Sequence, residues 1–134
     1  VQFFGCDGLD GVIDQLGSNA KLAEGVMLLT PFAADSEDPK SKAFTEAYEK
    51  KYNGEVPNQF AADAYDAMYI IKDAAEKANV TPDMSVSDIC DAMKKAMTEI
   101  EFPGVTGTMT WSADGEPTKT PMAMVIKDGS YKAL

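Results

Sequence analysis

Two carboxylates, Asp7 and Asp10, stand three residues apart in FFGCDGLDGV at positions 3–12, spaced by Gly5, Gly8 and Gly11. The pattern admits three kinds of chemistry. Asp7 and Asp10 could work as an acid/base pair or hold Mg²⁺ at a strand's C-terminal end, where open α/β sheets keep their sites. Asp10 alone could cap the helix that follows it. A carboxylate kept clear of bulk by glycines could instead receive an ammonium group. Where water is excluded, such a charge-assisted hydrogen bond is worth roughly 1.5–3 kcal/mol. DGLDG lacks the alternating ligands and distal Glu of a calcium loop, which weakens the metal reading. It also lacks the neighbouring basic residue that a phosphoryl-accepting aspartate usually has.

Composition removes several other chemistries. The chain has 134 residues and a formal charge of −10, from 12 basic and 22 acidic residues. Every basic residue is a lysine, and histidine is absent. A nucleic acid would be repelled, because phosphate neutralisation needs clustered Lys and Arg; an anionic membrane surface would be repelled likewise. Without histidine there is no Ser-His-Asp triad, no Cys-His pair and no imidazole metal ligand. Cys6 and Cys90 match no CxxC spacing and read as two separate small buried side chains. No apolar run approaches the ~20 residues of a membrane span, and no signal peptide is visible. The valine start, leading straight into an apolar strand, is expected of a piece of something longer, whereas KDGSYKAL reads as a natural end.

The elements that must position the acids follow from periodicity. Residues 1–6 read as a short strand and DGVIDQLG as a helix of at most two turns, capped by Asp10 and stopped by Gly17. Val26–Leu29 reads as a strand buried on both faces, so the opening is a βαβ crossover. Pro31 ends that strand's pairing and Pro39 starts a helix bearing Phe44, Tyr48 and Tyr52, closed by Asn53–Gly54. A second helix runs from about Asn58 to Asn79. Its apolar line Ala64, Met68, Ile71 and Ala75, with Tyr65 and Tyr69 beside it, predicts burial against two neighbours. SVSD at 85–88 has capping-box spacing before a third helix with Ile89, Met93, Met97 and Ile100 on one face. A β-type segment at Thr108–Trp111 and a hairpin around Asp128–Gly129 complete the chain. The helix-only middle does not fit one doubly wound sheet. Either the chain is α+β, or its helices pack on strands that lie elsewhere.

Three stretches in order resemble one family: FFGCDGLDG, AEGVMLLTPFAADSEDPKSKAFTEAYEKKYNGEVPNQFAADAYDAMYII and GVTGTMTWSADGEPTKTPMAMVIKDGSYK. Together they are similar to the C-terminal part of type I extracytoplasmic solute-binding proteins of ABC importers, of the branched-chain amino acid type. The resemblance covers nearly all 134 residues. It implies an α/β fold of two Rossmann-like lobes joined by three crossing strands. Residues 1–30 would then belong to the second lobe, 31–120 to the first, and 121–134 to a hairpin returning to the second. The hinge crossings would fall at Thr30–Pro31 and Thr120–Pro121.

Site residues carry over as implications of the resemblance. The acid of the loop after the first strand takes the ligand's ammonium group, and Asp10 stands where relatives often have Glu; Asp7 is the fallback. Phe60 and Ala62 fall where relatives line the ligand side-chain pocket. Phe32 borders the cleft at the hinge, Tyr65 is a further candidate contact, and Trp111 reads as packing. The implied function is non-enzymatic and needs no cofactor or metal: an extracytoplasmic receptor closes on an amino acid or similar zwitterion and presents it to an ABC permease. A sensory ligand-binding domain of a membrane receptor is the alternative, and an enzyme using Asp7 and Asp10 comes third. The family's contacts to the ligand carboxylate lie in N-terminal segments that this chain lacks. The chain alone is therefore expected to bind amino acids weakly or not at all. It should also be partly disordered, rearranged or paired with another copy of itself.

Overall fold

A computed structural model describes all 134 residues. The chain opens with β1 (Phe4–Gly5), a 3-10 turn at Asp7–Leu9, α1 (Val12–Leu16), a second 3-10 stretch at Gly17–Ala23 and β2 (Met27–Thr30). β1 and β2 pair in parallel, Phe4 opposite Met27, so the expected crossover forms. β5 (Met122–Lys127) and β6 (Ser130–Ala133) are the terminal hairpin, turning at Asp128 (φ 54°) and Gly129 (φ 72°), the left-handed pair that a tight two-residue turn requires. β5 pairs antiparallel with β2, placing Met124 beside Leu28, and the sheet order is β1-β2-β5-β6.

Two readings of this region are corrected. α1 is preceded by Gly11 at φ 85°, and no side chain caps it, so Asp10 does not cap its own helix. Extended backbone at Asp10 sends its carboxylate away from α1 towards a partner far along the chain. β2 is fully buried on one face only: Leu28 and Thr30 are enclosed, whereas Met27 and Leu29 are half-covered.

The middle of the chain is helical. α2 (Pro39–Lys51) is capped by Asp38, whose Oδ1 accepts from the Lys40 and Ser41 N–H groups at 3.0 Å each. α3 (Gln59–Lys77) is capped by Asn58, which accepts from Ala61 N–H. α4 (Val86–Met97) starts with half a capping box. Ser85 takes the Asp88 N–H, but Asp88, one methylene shorter than Glu, binds the Ser85 hydroxyl at 2.7 Å rather than its N–H. β3 (Phe102–Gly104) and β4 (Gly107–Met109) form a separate two-stranded ribbon.

Two cores result. Leu28, Met124, Ile126, Ala23 and Ala33 fill the space between the four-stranded sheet and α1. Phe32, Phe44, Ala62 and Val105 fill the space between α2, α3 and the ribbon. The chain passes between these cores at Thr30–Phe32 and again just before β5.

α3 reverses the expected burial. Its enclosed positions are Gln59, Ala62, Asp66 and Ala74, whereas Met68 is 69% and Ile71 54% exposed. The first two turns of α3 meet the rest of the chain through Gln59, Asp63 and Asp66 together with Ala62, whereas Ala64, Met68 and Ile71 of the apolar line stay exposed and Ala75 is half-buried. The cysteines are a further correction: both are free and exposed rather than buried, Cys6 at the rim of a shallow groove and Cys90 on the surface of α4.

Candidate functional site

The N-terminus of α3 is where the two cores are joined. Asp10 Oδ2 accepts the Gln59 main-chain N–H at 2.6 Å, so it satisfies the first orphan amide of a helix 49 residues later. Gln59 Nε2 donates to the Asp7 carbonyl at 3.0 Å, and Gln59 Oε1 accepts the Thr30 hydroxyl at 2.8 Å. One turn on, Lys119 Nζ reaches Asp63 Oδ1 at 2.5 Å, tying the second crossing to the same helix. Asp66 takes the Val105 and Thr106 N–H groups at 2.9 Å each and the Thr106 hydroxyl at 2.7 Å. Gly104 permits this approach, since a β-carbon there would overlap the Asp66 carboxylate.

Above Asp10 lies a cavity of about 780 Å³ between α1, the β5–β6 hairpin and the 53–58 loop. This is within the size range of small-molecule sites. Phe32, Tyr48, Val56 and Tyr131 give it apolar walls, and Asp10, Asp14, Asp35, Glu49 and Glu55 make it acidic, with Lys132 the one basic side chain on its wall. Burial pushes the Asp10 carboxyl above the ordinary 3.8, with the negative charges of Asp14 and Asp63 adding to it; the Gln59 and Gly11 amides pull the other way. No lysine forms an ion pair with Asp10; the lysines that pair do so with Asp63, Asp73, Glu76 and Glu99. Asp10 is thus a half-buried charge without a cation. Burial likewise raises the Tyr131 hydroxyl, which accepts from Ile13 N–H at 3.4 Å. No group of three or more acidic, cysteine or histidine side chains is arranged to hold a metal.

The other sequence candidates fall in different places. Asp7 faces a smaller groove on the other side of the crossings, with Cys6, Pro31, Lys119 and Pro121. Thr30 is buried and touches both spaces; Thr120 is exposed. Phe32 is in the second core with one side toward the cavity, and Ala62 is fully buried against it. Phe60 is half exposed and lines neither space. Tyr65 stacks between Phe44 and Tyr69, both at 4.9 Å. Sequence reasoning passed over Gln59, Asp63 and Lys119. The signal was present: Gln59, Asp63 and Asp66 repeat at i, i+4 and i+7, a polar helix face opposite the apolar one.

Residues 1–130 match the family model for periplasmic binding proteins, and the chain belongs to that family. Among solved structures, it is similar to the branched-chain amino acid transporter substrate-binding protein LivJ of Streptococcus pneumoniae, solved with isoleucine. The identity is 29% and the TM-score 0.75, over 99% of this chain and 37% of that one. A putative branched-chain amino acid ABC transporter protein of Rhodospirillum rubrum matches at 27% identity and TM-score 0.69, over 100% and 37%. An ABC transporter solute-binding protein of R. palustris, solved with benzoate, shares the fold at 20% identity and TM-score 0.79, over 100% and 35%. The chain spans little more than a third of each. Within that span it keeps the relatives' α/β fold rather than a rearranged one. No curated protein sequence matches significantly, and no helix is long and apolar enough to cross a membrane.

Proposed function

We propose that this chain forms the hinge and one wall of an extracytoplasmic solute-binding protein that serves an ABC importer. Its ligand would be an amino acid or similar small zwitterion, held between two lobes by closure about the Thr30–Pro31 and Thr120–Pro121 crossings. It would deliver that ligand to a permease without chemical change.

The observation that carries the reading is Asp10, a carboxylate half-buried beside a ligand-sized cavity and lacking any cationic partner. An ammonium group would supply the missing charge. An aromatic acid without an ammonium, such as the benzoate bound by the R. palustris relative, would meet a wall that already carries five carboxylates. The acidic lining therefore favours the zwitterion. The test is calorimetry on a chimera in which this chain replaces the matching segment of the Streptococcus pneumoniae relative, titrated with isoleucine and with benzoate. Isoleucine binding that weakens on Asp10→Asn supports the reading; benzoate binding without isoleucine binding refutes it.

A further inference from the structure

Gln59 is 1% exposed, and all its hydrogen-bond partners at the α3 start belong to segments 29 to 52 residues earlier. Its main chain holds Asp10, its amide nitrogen holds the Asp7 carbonyl, and its amide oxygen holds the Thr30 hydroxyl. That hydroxyl in turn accepts the Phe32 N–H at 3.3 Å. A continuous line of hydrogen bonds therefore runs from the acid at the cavity to the first crossing between the cores.

We infer that Gln59 is the positioning residue of the site: it couples the Asp10 carboxylate to the Thr30–Phe32 crossing, so that a change at either is felt at the other. The inference rests on Asp10 being the ligand-facing acid for its functional meaning, but the coupling itself is independent of any ligand. The physical reason is that the three bonds share one rigid helix end. α3 cannot shift away from Asp10 without also stretching the bonds to Asp7 and Thr30. A buried amide left with an unmatched donor or acceptor is costly, so the three bonds hold or release together. Glutamate could not replace Gln59, because it would set a carboxylate oxygen against the Asp7 carbonyl and add charge beside Asp10.

The groups that titrate near Asp10 are Asp7 and Asp14 on its own segment, Asp63 on α3 and Tyr131 on β6. Asp35, Glu49, Glu55 and Lys132 lie on the remaining walls. The deciding experiment is an NMR pH titration of the 134-residue chain, following the Asp10 side-chain carboxyl carbon together with the Gln59 and Phe32 amides. Both amides should shift with the Asp10 midpoint. In Asp10→Asn that transition should vanish from both, separating it from Asp63 and the wall carboxylates. In Gln59→Met, Asp10 and the residue-59 amide should still titrate together while Phe32 falls silent. Thr30→Val cuts the same line at its other end and should silence Phe32 even if Gln59→Met does not fold. A Phe32 amide that ignores Asp10 in the unsubstituted chain overturns the proposal outright, as does one that still follows it after either cut. Because no ligand enters this titration, failed isoleucine binding by the chimera would count against the proposed function and leave the coupling standing.

Discussion

The Asp10 carboxylate lies 2.6 Å from the main-chain nitrogen of Gln59, so an acid on the sheet side caps a helix on the other side of the crossings. Together with the Gln59 bonds to Asp7 and Thr30, this contact joins the two cores, and it also holds the charge that faces the cavity. A residue with both duties is under conflicting demands, and the conflict can be measured.

The first consequence is a pH dependence. The Asp10 pKa is raised by burial, with only partial relief from the Gln59 amide, so the folded chain holds this proton more tightly than the unfolded chain. The stability it contributes is complete below the ordinary 3.8 and is lost as pH rises through the elevated folded value. Asp10→Asn removes the charge and keeps an oxygen for Gln59 N–H. Thermal melts should show a higher midpoint for Asp10→Asn at pH 7 and a flatter profile between about pH 4 and pH 7.

A second consequence concerns the Asp66 junction, whose three accepted bonds fix the ribbon to α3. Asp66→Ala orphans two buried amides and should cost roughly 2–5 kcal/mol in urea denaturation. Gly104→Ala forces a methyl group onto the same carboxylate and should cost about 1–3 kcal/mol. The double variant should cost less than the sum, because removing the carboxylate makes room for the methyl group.

Much of the fold was legible. The βαβ opening, the helix start near Asn58, the Ser85 cap, the Asn53–Gly54 stop and the Asp128–Gly129 hairpin all rest on local signals, and local signals survive in a partial fold. What misled was the inference from apolar periodicity to burial. The line Ala64, Met68, Ile71 and Ala75 is regular enough to predict a core face, yet its first three residues stand exposed and only Ala75 is half-buried. Burial is a property of the assembled surface, whereas periodicity records only which face is apolar. The site shows the same division. Asp10 drew attention through its setting among glycines, but its partner is a main-chain N–H, which no residue type announces.

Because Met68 and Ile71 on the apolar face of α3 are exposed here, charging them should be nearly harmless to this chain. Met68→Lys with Ile71→Lys should change unfolding free energy by no more than about 0.5 kcal/mol. The same pair should lower the fluorescence of a dye that binds exposed apolar surface. A loss of several kcal/mol would mean that the face is covered after all.

The exposed cysteines give a simple check on surface placement. Both Cys6 and Cys90 should react with a thiol reagent in the folded chain at rates near those in denaturant. Protection of Cys6 would show that the groove beside the crossings is closed.

The isolated chain should show no micromolar binding of isoleucine by calorimetry. The proposed mechanism needs two walls, and this chain spans little more than a third of its relatives' length. Tight binding by the chain alone would mean that the cavity beside Asp10 is a complete site.

The central claim, that Asp10 receives a ligand's ammonium group, is tested most directly by calorimetry on the Streptococcus pneumoniae chimera with and without Asp10→Asn. Losing one charge-assisted hydrogen bond should weaken isoleucine binding by roughly 10- to 100-fold. Equal affinity in the two chimeras would contradict the account.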